Sequence, residues 1–445
     1  MTRGMFCLVP FVMASCGLLQ AQVATTQFKP FNNFVEETRT ADANVYMARV
    51  ESRVKDTASF EEMRRYVLVT YEGVHVLHSF VRDNNHFDCV PVMEQPSVRA
   101  LGLKEIASPP PAGDDFSIGP GEDSFAGERP VTVTPQFDPE QPFDEFGNAV
   151  VCEDQTIPMA RIALEQLTRF PSMREFFEKS SRENDASATL NPGHVIPPAS
   201  AGTHVYSFTY SPNEKNKGIT DGNNLWSPAV SATQIFSLSQ LWEIGDNDGK
   251  TQTAEAGWQV YPAMYNIKKA ALFIYWTADG YNKTGCYNLT CPAFVQTNNS
   301  VALGAGFSHY SVKGGKQYEI DLEYKLSGGK WWFYFGGKAV GYYPASQYKP
   351  GTMATYSKYS EYGTEAVSNT KIDPREGSGQ WSTAGFGEAA YHRNLNYFSM
   401  SGKEFAVILT ADQPSPNCYS ITGPFNNLAG WGTYFYDGGP GGGNC

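Results

Sequence analysis

Two acidic residues sit in company that acids usually avoid. Glu255 lies in Thr253-Ala254-Glu255-Ala256-Gly257-Trp258-Gln259-Val260-Tyr261, among small, apolar and aromatic residues. Glu365 lies in a similar run, Glu361-Tyr362-Gly363-Thr364-Glu365-Ala366-Val367. Two carboxyls held close together cannot both ionise easily, so one keeps a proton and the pair can serve one substrate as base and acid. Other chemistries find less support. The chain has no Gly-x-Ser-x-Gly elbow, no His-Glu-x-x-His helix and no phosphate-cradling glycine loop. A Ser/His/Asp set could assemble in space, for instance around Ser308-His309, but a lone His on a strand is more often structural. Cys286 and Cys291 lack a second Cys or His pair at ligand spacing, so no metal and no other cofactor is expected.

The elements that must carry these acids have a period of two. On a strand, Glu255, Gly257, Gln259 and Tyr261 share one face, and Ala256, Trp258 and Val260 share the other. The first set suits a cleft: an acid, a gap for a substrate backbone, an amide and an aromatic. The pattern also fits a solvated Glu on the wet face of an ordinary strand. By the same parity Glu361, Gly363, Glu365 and Val367 share a face. Strands are further expected over 234–244, 270–277, 301–310 and 405–409. Tyr318, Ile320, Leu322 and Tyr324 alternate with Glu319, Asp321, Glu323 and Lys325, which gives one core face and one wet face. Gly328-Gly329 then turns into Lys330-Trp331-Trp332-Phe333-Tyr334-Phe335, a hairpin. Many short strands between glycine turns imply an antiparallel β-sandwich.

The front of the chain reads differently. Residues 44–73 suggest a helix with a Ser59/Glu62 capping box, followed by a β-like piece at 74–77 and a turn at Asp83-Asn84-Asn85. Residues 105–148 are acidic and rich in Pro and Gly, and read as a mobile insert. Residues 156–170 place Met159, Ile162, Ala163, Leu167 and Phe170 at helical spacing. A polar stretch, 183–203, carries Pro192, Pro197 and Pro198 and makes the best domain boundary. The fold class expected is therefore mainly β: a β-sandwich over 204–445 preceded by a smaller, helix-containing α+β unit over 22–182.

Composition narrows the setting. The chain has 445 residues, 41% of them hydrophobic and only 18% charged, with a net charge of −12. That charge argues against a nucleic-acid partner and suits solubility in mildly acidic surroundings. Residues 1–21 read as a secretion signal: Arg3, an apolar run from Met5 to Leu19, and a small-residue cleavage site at Leu19-Gln20-Ala21. The run is too short to span a membrane, and no transmembrane segment is expected elsewhere. Lipoprotein anchoring at Cys16 is the rival reading of the same segment, in a secreted or periplasmic protein. Removing the signal leaves Cys89, Cys152, Cys286, Cys291, Cys418 and Cys445, an even set that reads as disulfides with several pairings open.

The back half also resembles a known family. Phe236-Ser237-Leu238-Ser239-Gln240-Leu241-Trp242, Glu255-Ala256-Gly257-Trp258-Gln259-Val260-Tyr261-Pro262, Tyr275-Trp276-Thr277-Ala278-Asp279, Thr284-Gly285-Cys286-Tyr287-Asn288-Leu289, Asn417-Cys418-Tyr419 and Trp431-Gly432-Thr433-Tyr434-Phe435-Tyr436 occur in the order seen in the neprosin family of glutamic peptidases. Asp88-Cys89-Val90, Gln95-Pro96 and Cys152 resemble that family's activation peptide, which lacks so long an insert as 105–148. The resemblance implies that Glu255 and Glu365 are the catalytic pair. Around Glu365 the match has drifted: the family favours Trp-Gly-Gly-Glu where this chain has Tyr362-Gly363-Thr364-Glu365, and Glu361 also matches. It implies a zymogen whose own pro-domain covers the cleft, and cleavage of peptides on the carboxyl side of proline. Gly257, Gln259, Tyr275, Trp276 and Tyr281 are the substrate-binding candidates. With the chain so divided, the pairing expected is Cys89–Cys152, Cys286–Cys291 and Cys418–Cys445. Two alternatives accompany this reading: a non-catalytic sandwich that binds cell-wall peptide or glycan, and a two-carboxylate glycoside hydrolase.

Overall fold

The computed structural model describes residues 27–110, 130–179, 203–212, 214–427, 430–443 and 445. The signal segment with Cys16, much of the 105–148 insert and nearly all of the 183–203 stretch lie outside these. Among the described residues, no helix is long and apolar enough to cross a membrane.

The back half is an antiparallel sandwich. One sheet has seven strands, in spatial order Cys286–Tyr287, Ala271–Thr277, Lys250–Val260, Gln234–Asn247, Tyr359–Ser368, Thr203–Tyr210 and Thr410–Asp412. The other has ten strands, with Tyr318–Ser327, Lys330–Phe335 and Gly218–Asn224 near its centre. Between them lies the main core. Leu241, Ala256, Trp258 and Ile274 from the first sheet meet Ile320, Leu322, Tyr324 and Phe333 from the second. Each large apolar side chain so buried contributes roughly 2 kcal/mol against its exposed state.

The outer face of the seven-stranded sheet is also buried, because the front half covers it. Phe60, Met63 and Val67 of the helix Thr57–Thr70, with Phe170, Met173 and Phe176 further along, pack onto Phe236, Leu238, Tyr261, Phe273 and Tyr275. The structure joins Cys89 to Cys152, Cys286 to Cys291 and Cys418 to Cys445.

Several local expectations are corrected. The helix over 44–73 is two helices, Ala43–Met47 and Thr57–Thr70, and the cap is Asp56, whose carboxylate accepts from Ser59 N at 2.8 Å. The β-like piece at 74–77 is displaced: the hairpin strand is Ser79–Arg82, turning at Asp83 and Asn84, both with positive φ. The helix over 156–170 is a strand, Thr156–Ala160, then a single helical turn, Leu164–Leu167. Pro158 is tolerated there because the strand is the edge of a small three-stranded sheet. Residues 301–310 form a loop, buried over 301–307, rather than a strand, and 405–409 is split between Glu404–Ala406 and Thr410–Asp412. The expected wet face of the Tyr318–Ser327 strand is covered too. Glu319 is fully buried and held by Arg393, and burial pushes Asp321 and Glu323 up to about 7 each.

The described end of the 105–148 insert is built into the sandwich. Val131–Thr132 pairs in parallel with Tyr318 and Glu319, and Val133 N donates to Glu319 O at 2.8 Å. The Val133 side chain enters the core between the sheets. Gln136 then ties down the 301–310 loop: its amide donates to the carbonyls of Ala302 and Ala305 and accepts from Ala302 N.

Candidate active site

Strand pairing places the two acids on one face. Glu255 stands opposite Trp242, Gly257 opposite Gln240, Gly363 opposite the other side of Gln240, and Glu365 opposite Leu238. The outward face of three adjacent strands therefore presents Glu255, Gln240, Trp242 and Glu365 together. Both carboxyls are fully buried, and one ammonium lies between them. Lys179 Nζ is 2.5 Å from Glu255 Oε2 and 3.0 Å from Glu365 Oε2. It also sits over the Trp242 ring, 5.3 Å from the centroid.

Each acid has its own set of partners. Glu255 Oε1 accepts from Tyr281 Oη at 2.8 Å and from Thr253 Oγ1 at 2.7 Å, and Oε2 accepts from Gln240 Nε2 at 3.1 Å. Glu365 Oε1 is 2.6 Å from His204 Nδ1. Burial alone would raise Glu365, but Lys179 and the His204 bond outweigh it and hold the carboxyl at about 2. Burial alone would lower the Lys179 ammonium, but the two carboxylates hold it above its ordinary value. Burial and the Glu255 charge push the Tyr281 hydroxyl well up, so it remains a donor. Tyr281 reaches Glu255 from a left-handed backbone (φ +60°), an uncommon conformation for a residue with a side chain. A turn holds it there, in which Asp279 accepts from the backbone N–H groups of Asn282, Lys283 and Thr284.

The substrate-binding candidates divide. Tyr275 and Tyr281 flank Glu255, their rings stacked 6.0 Å apart. The Tyr275 hydroxyl accepts from Lys179 N at 3.2 Å and lies 3.3 Å from Phe177 O, so the front half's 177–179 segment runs over it. Trp276 is corrected: it points to the opposite face, into the core against Tyr343 and Tyr348. Neighbours on a strand alternate, so Tyr275 and Trp276 cannot both face the cleft. Gln259 shares the face of Glu255, but its amide is taken up by Tyr265 and Tyr287 and touches neither carboxyl. Gly257 is glycine for a reason other than an open gap. A Cβ there would lie 2.0 Å from Ser239 O.

Gly363 is constrained in two ways: its φ is +152°, and a Cβ would lie 2.3 Å from Ser207 O. Gly363→Ala is expected to cost about 2 kcal/mol or more, through both strain and collision. The urea midpoint checks this; an unchanged midpoint would show that the neighbouring strand yields freely.

The sequence reading missed Lys179, His204, Gln240, Thr253 and Trp242. Gln240 and Trp242 carried a signal, since they alternate in the run before Glu255. Lys179 and His204 carried none, because they reach the site from distant parts of the chain. The Ser308-His309 pair is exposed, with His309 stacked on Tyr318. A different Ser/His/Asp set does assemble: His392 lies 2.9 Å from Ser239 Oγ and 3.0 Å from Asp221. It is sealed inside the protein, where no peptide reaches it. Although burial lowers His392, Asp221 outweighs that and keeps it charged up to about 10. Among the described residues, His78, Cys89 and Glu153 come close enough to hold an ion, but the Cys89 sulfur is in a disulfide.

A β-sandwich with paired glutamates on one sheet face is the class of protein this geometry defines. Residues 233–440 match the family model described as Neprosin. The matched stretch takes in both Glu255 and Glu365 and supports a glutamic peptidase. Among solved structures, it is similar to scytalido-glutamic peptidase with a transition state analog inhibitor, at 8% identity and a TM-score of 0.29, covering 53% of this chain and 98% of that one. The same enzyme with a peptide based transition state analog gives 8% and 0.30, covering 54% and 98%. SCP-B, of the Eqolisin family, in a complex with the tripeptide Ala-Ile-His gives 8% and 0.26, covering 53% and 97%. These are slight likenesses.

Proposed function

We propose that this chain is an exported zymogen of an acid-acting endopeptidase, with Glu255 and Glu365 as its catalytic pair and proline preferred before the cut bond. The observation that carries this reading is the single Lys179 ammonium within 3.0 Å of both carboxyls. One small group can touch both acids at once, so one water and one scissile carbonyl can as well. With Lys179 withdrawn, the two carboxyls share a proton. The ionised member draws a proton from water, and the oxygen attacks the carbonyl. The protonated member hydrogen-bonds the developing oxyanion and then donates to the departing amine. Gln240, whose amide already reaches Glu255, supplies a further donor beside the oxyanion.

The zymogen reading is supported by where Lys179 comes from. It belongs to the front half, and the 177–179 segment lies along Tyr275 as a bound peptide would. Three disulfides fit an oxidising compartment. The proline preference rests on the family resemblance, and Tyr275, Tyr281 and Trp242 are the rings that would receive a proline.

Acid-incubated protein supplied with a peptide containing one internal proline tests this. Mass spectrometry should find a product ending in that proline. Cuts spread over other residues would reject the preference, and an intact peptide from pH 2 to pH 6 would reject the peptidase. Cleavage of a polysaccharide alone would favour the glycoside hydrolase.

A further inference from the structure

We propose that His204 is a positioning residue for the peptidase reaction: its ring fixes the Glu365 carboxylate and makes it the ionised member of the pair. This deepens the peptidase reading and rests on it. His204 opens the strand Thr203–Tyr210, next to the strand that carries Glu365. Its side chain is fully buried, and Nδ1 stands 2.6 Å from Glu365 Oε1. So short a contact between a ring nitrogen and a carboxylate oxygen needs a proton between them. Burial raises Glu365, but Lys179 and this hydrogen bond hold its carboxyl low, so Glu365 carries the charge and the ring nitrogen donates.

The ring has little freedom to turn. Tyr206 lies nearly parallel to it at 5.9 Å, with its hydroxyl 3.2 Å from Nδ1, and Phe236 meets it edge-on at 6.2 Å. Among the described residues, the charged group facing the ring is Glu365, with Lys179 of the front half beyond it on the other carboxylate oxygen. That division of labour matters. His204 takes Oε1 and leaves Oε2 aimed at the place Lys179 now fills, which is where a water would be activated. Glu255 has a different environment: apart from Lys179, its donors Gln240, Thr253 and Tyr281 are all neutral.

The test is the pH profile of peptide cleavage by the acid-incubated full chain carrying His204→Phe, His204→Asn or His204→Gln. Asn places an amide N–H close to the position of Nδ1; Gln places it farther out. In His204→Phe, kcat should fall at least about tenfold with little change in KM, and the acid limb of kcat/KM should move up by about one pH unit. His204→Asn should recover most of both, and His204→Gln should not. Should the Phe variant fail to fold, the Asn and Gln variants decide, since only Asn keeps the limb in place. An unmoved acid limb in folded His204→Phe or His204→Gln would overturn the proposal, and so would a loss carried by KM. If the unaltered protein cuts no peptide at any pH, the peptidase reading falls and this proposal falls with it.

Discussion

Lys179→Met is expected to switch on the uncut chain at a pH where the unaltered chain is silent. Among the described residues the Lys179 ammonium is the cation seen between Glu255 and Glu365, and removing one partner of a buried pair costs roughly 3–5 kcal/mol. That lowers the ratio of covered to open cleft by a factor of about a hundred or more. Cleavage of a quenched peptide by full-length Lys179→Met at pH 5 should exceed that of the unaltered chain at least about tenfold, with mass spectrometry confirming an intact chain. Equal activities would show that the apolar contacts of Phe170, Met173 and Phe176 close the cleft without the lysine. The pH dependence has a definite sign. The folded value of Glu365, about 2, lies below its ordinary 4.5. Its contribution is therefore complete above pH 4.5 and is lost as pH falls through 2, on the order of 3 kcal/mol in all. Acid should open the unaltered protein across that window, and Lys179→Met should respond much less.

The second large effect concerns the acids themselves. Glu255→Gln and Glu365→Gln should each reduce cleavage by about a thousandfold, because one loses a protonation state the reaction needs at every turnover. Neither variant should shorten itself in acid, whereas the unaltered chain should. Matching thermal unfolding midpoints at pH 6 would separate lost chemistry from lost structure. Retained cleavage in Glu365→Gln would move the role to Glu361, which shares its face four residues away.

What was legible in the sequence followed from parity. Alternation around Glu255 put Trp258 in the core and the acid outside, and the same rule applied along 234–244 would have found Gln240 and Trp242. Trp276 has the aromatic character of a cleft residue but the parity of a core one. The 156–170 stretch misled differently, since Met159, Ile162 and Ala163 mimic a helical stripe while Pro158 and its sheet neighbours favour a strand. Glu319 could not be read as buried without knowing that Arg393 reaches it from a strand far along the chain. Lys179 and His204 illustrate the general limit. Their importance lies in what they touch across the fold, and nothing in their immediate neighbours marks them.

The short parallel strand Val131–Thr132 changes what maturation would leave behind. A cut within 183–203 severs one peptide bond, yet Val133 stays wedged between the two sheets and Gln136 stays bound to the loop beneath it. Cys89–Cys152 ties that strand's segment to the rest of the front half. The product of such a cut is a nicked molecule, two polypeptides completing one interior in the manner of complementing fragments. Uncovering the glutamates would then require Lys179 and its segment to move off the sheet face, while Val131–Thr132 and the disulfide-tied part of the front half would stay attached like a light chain.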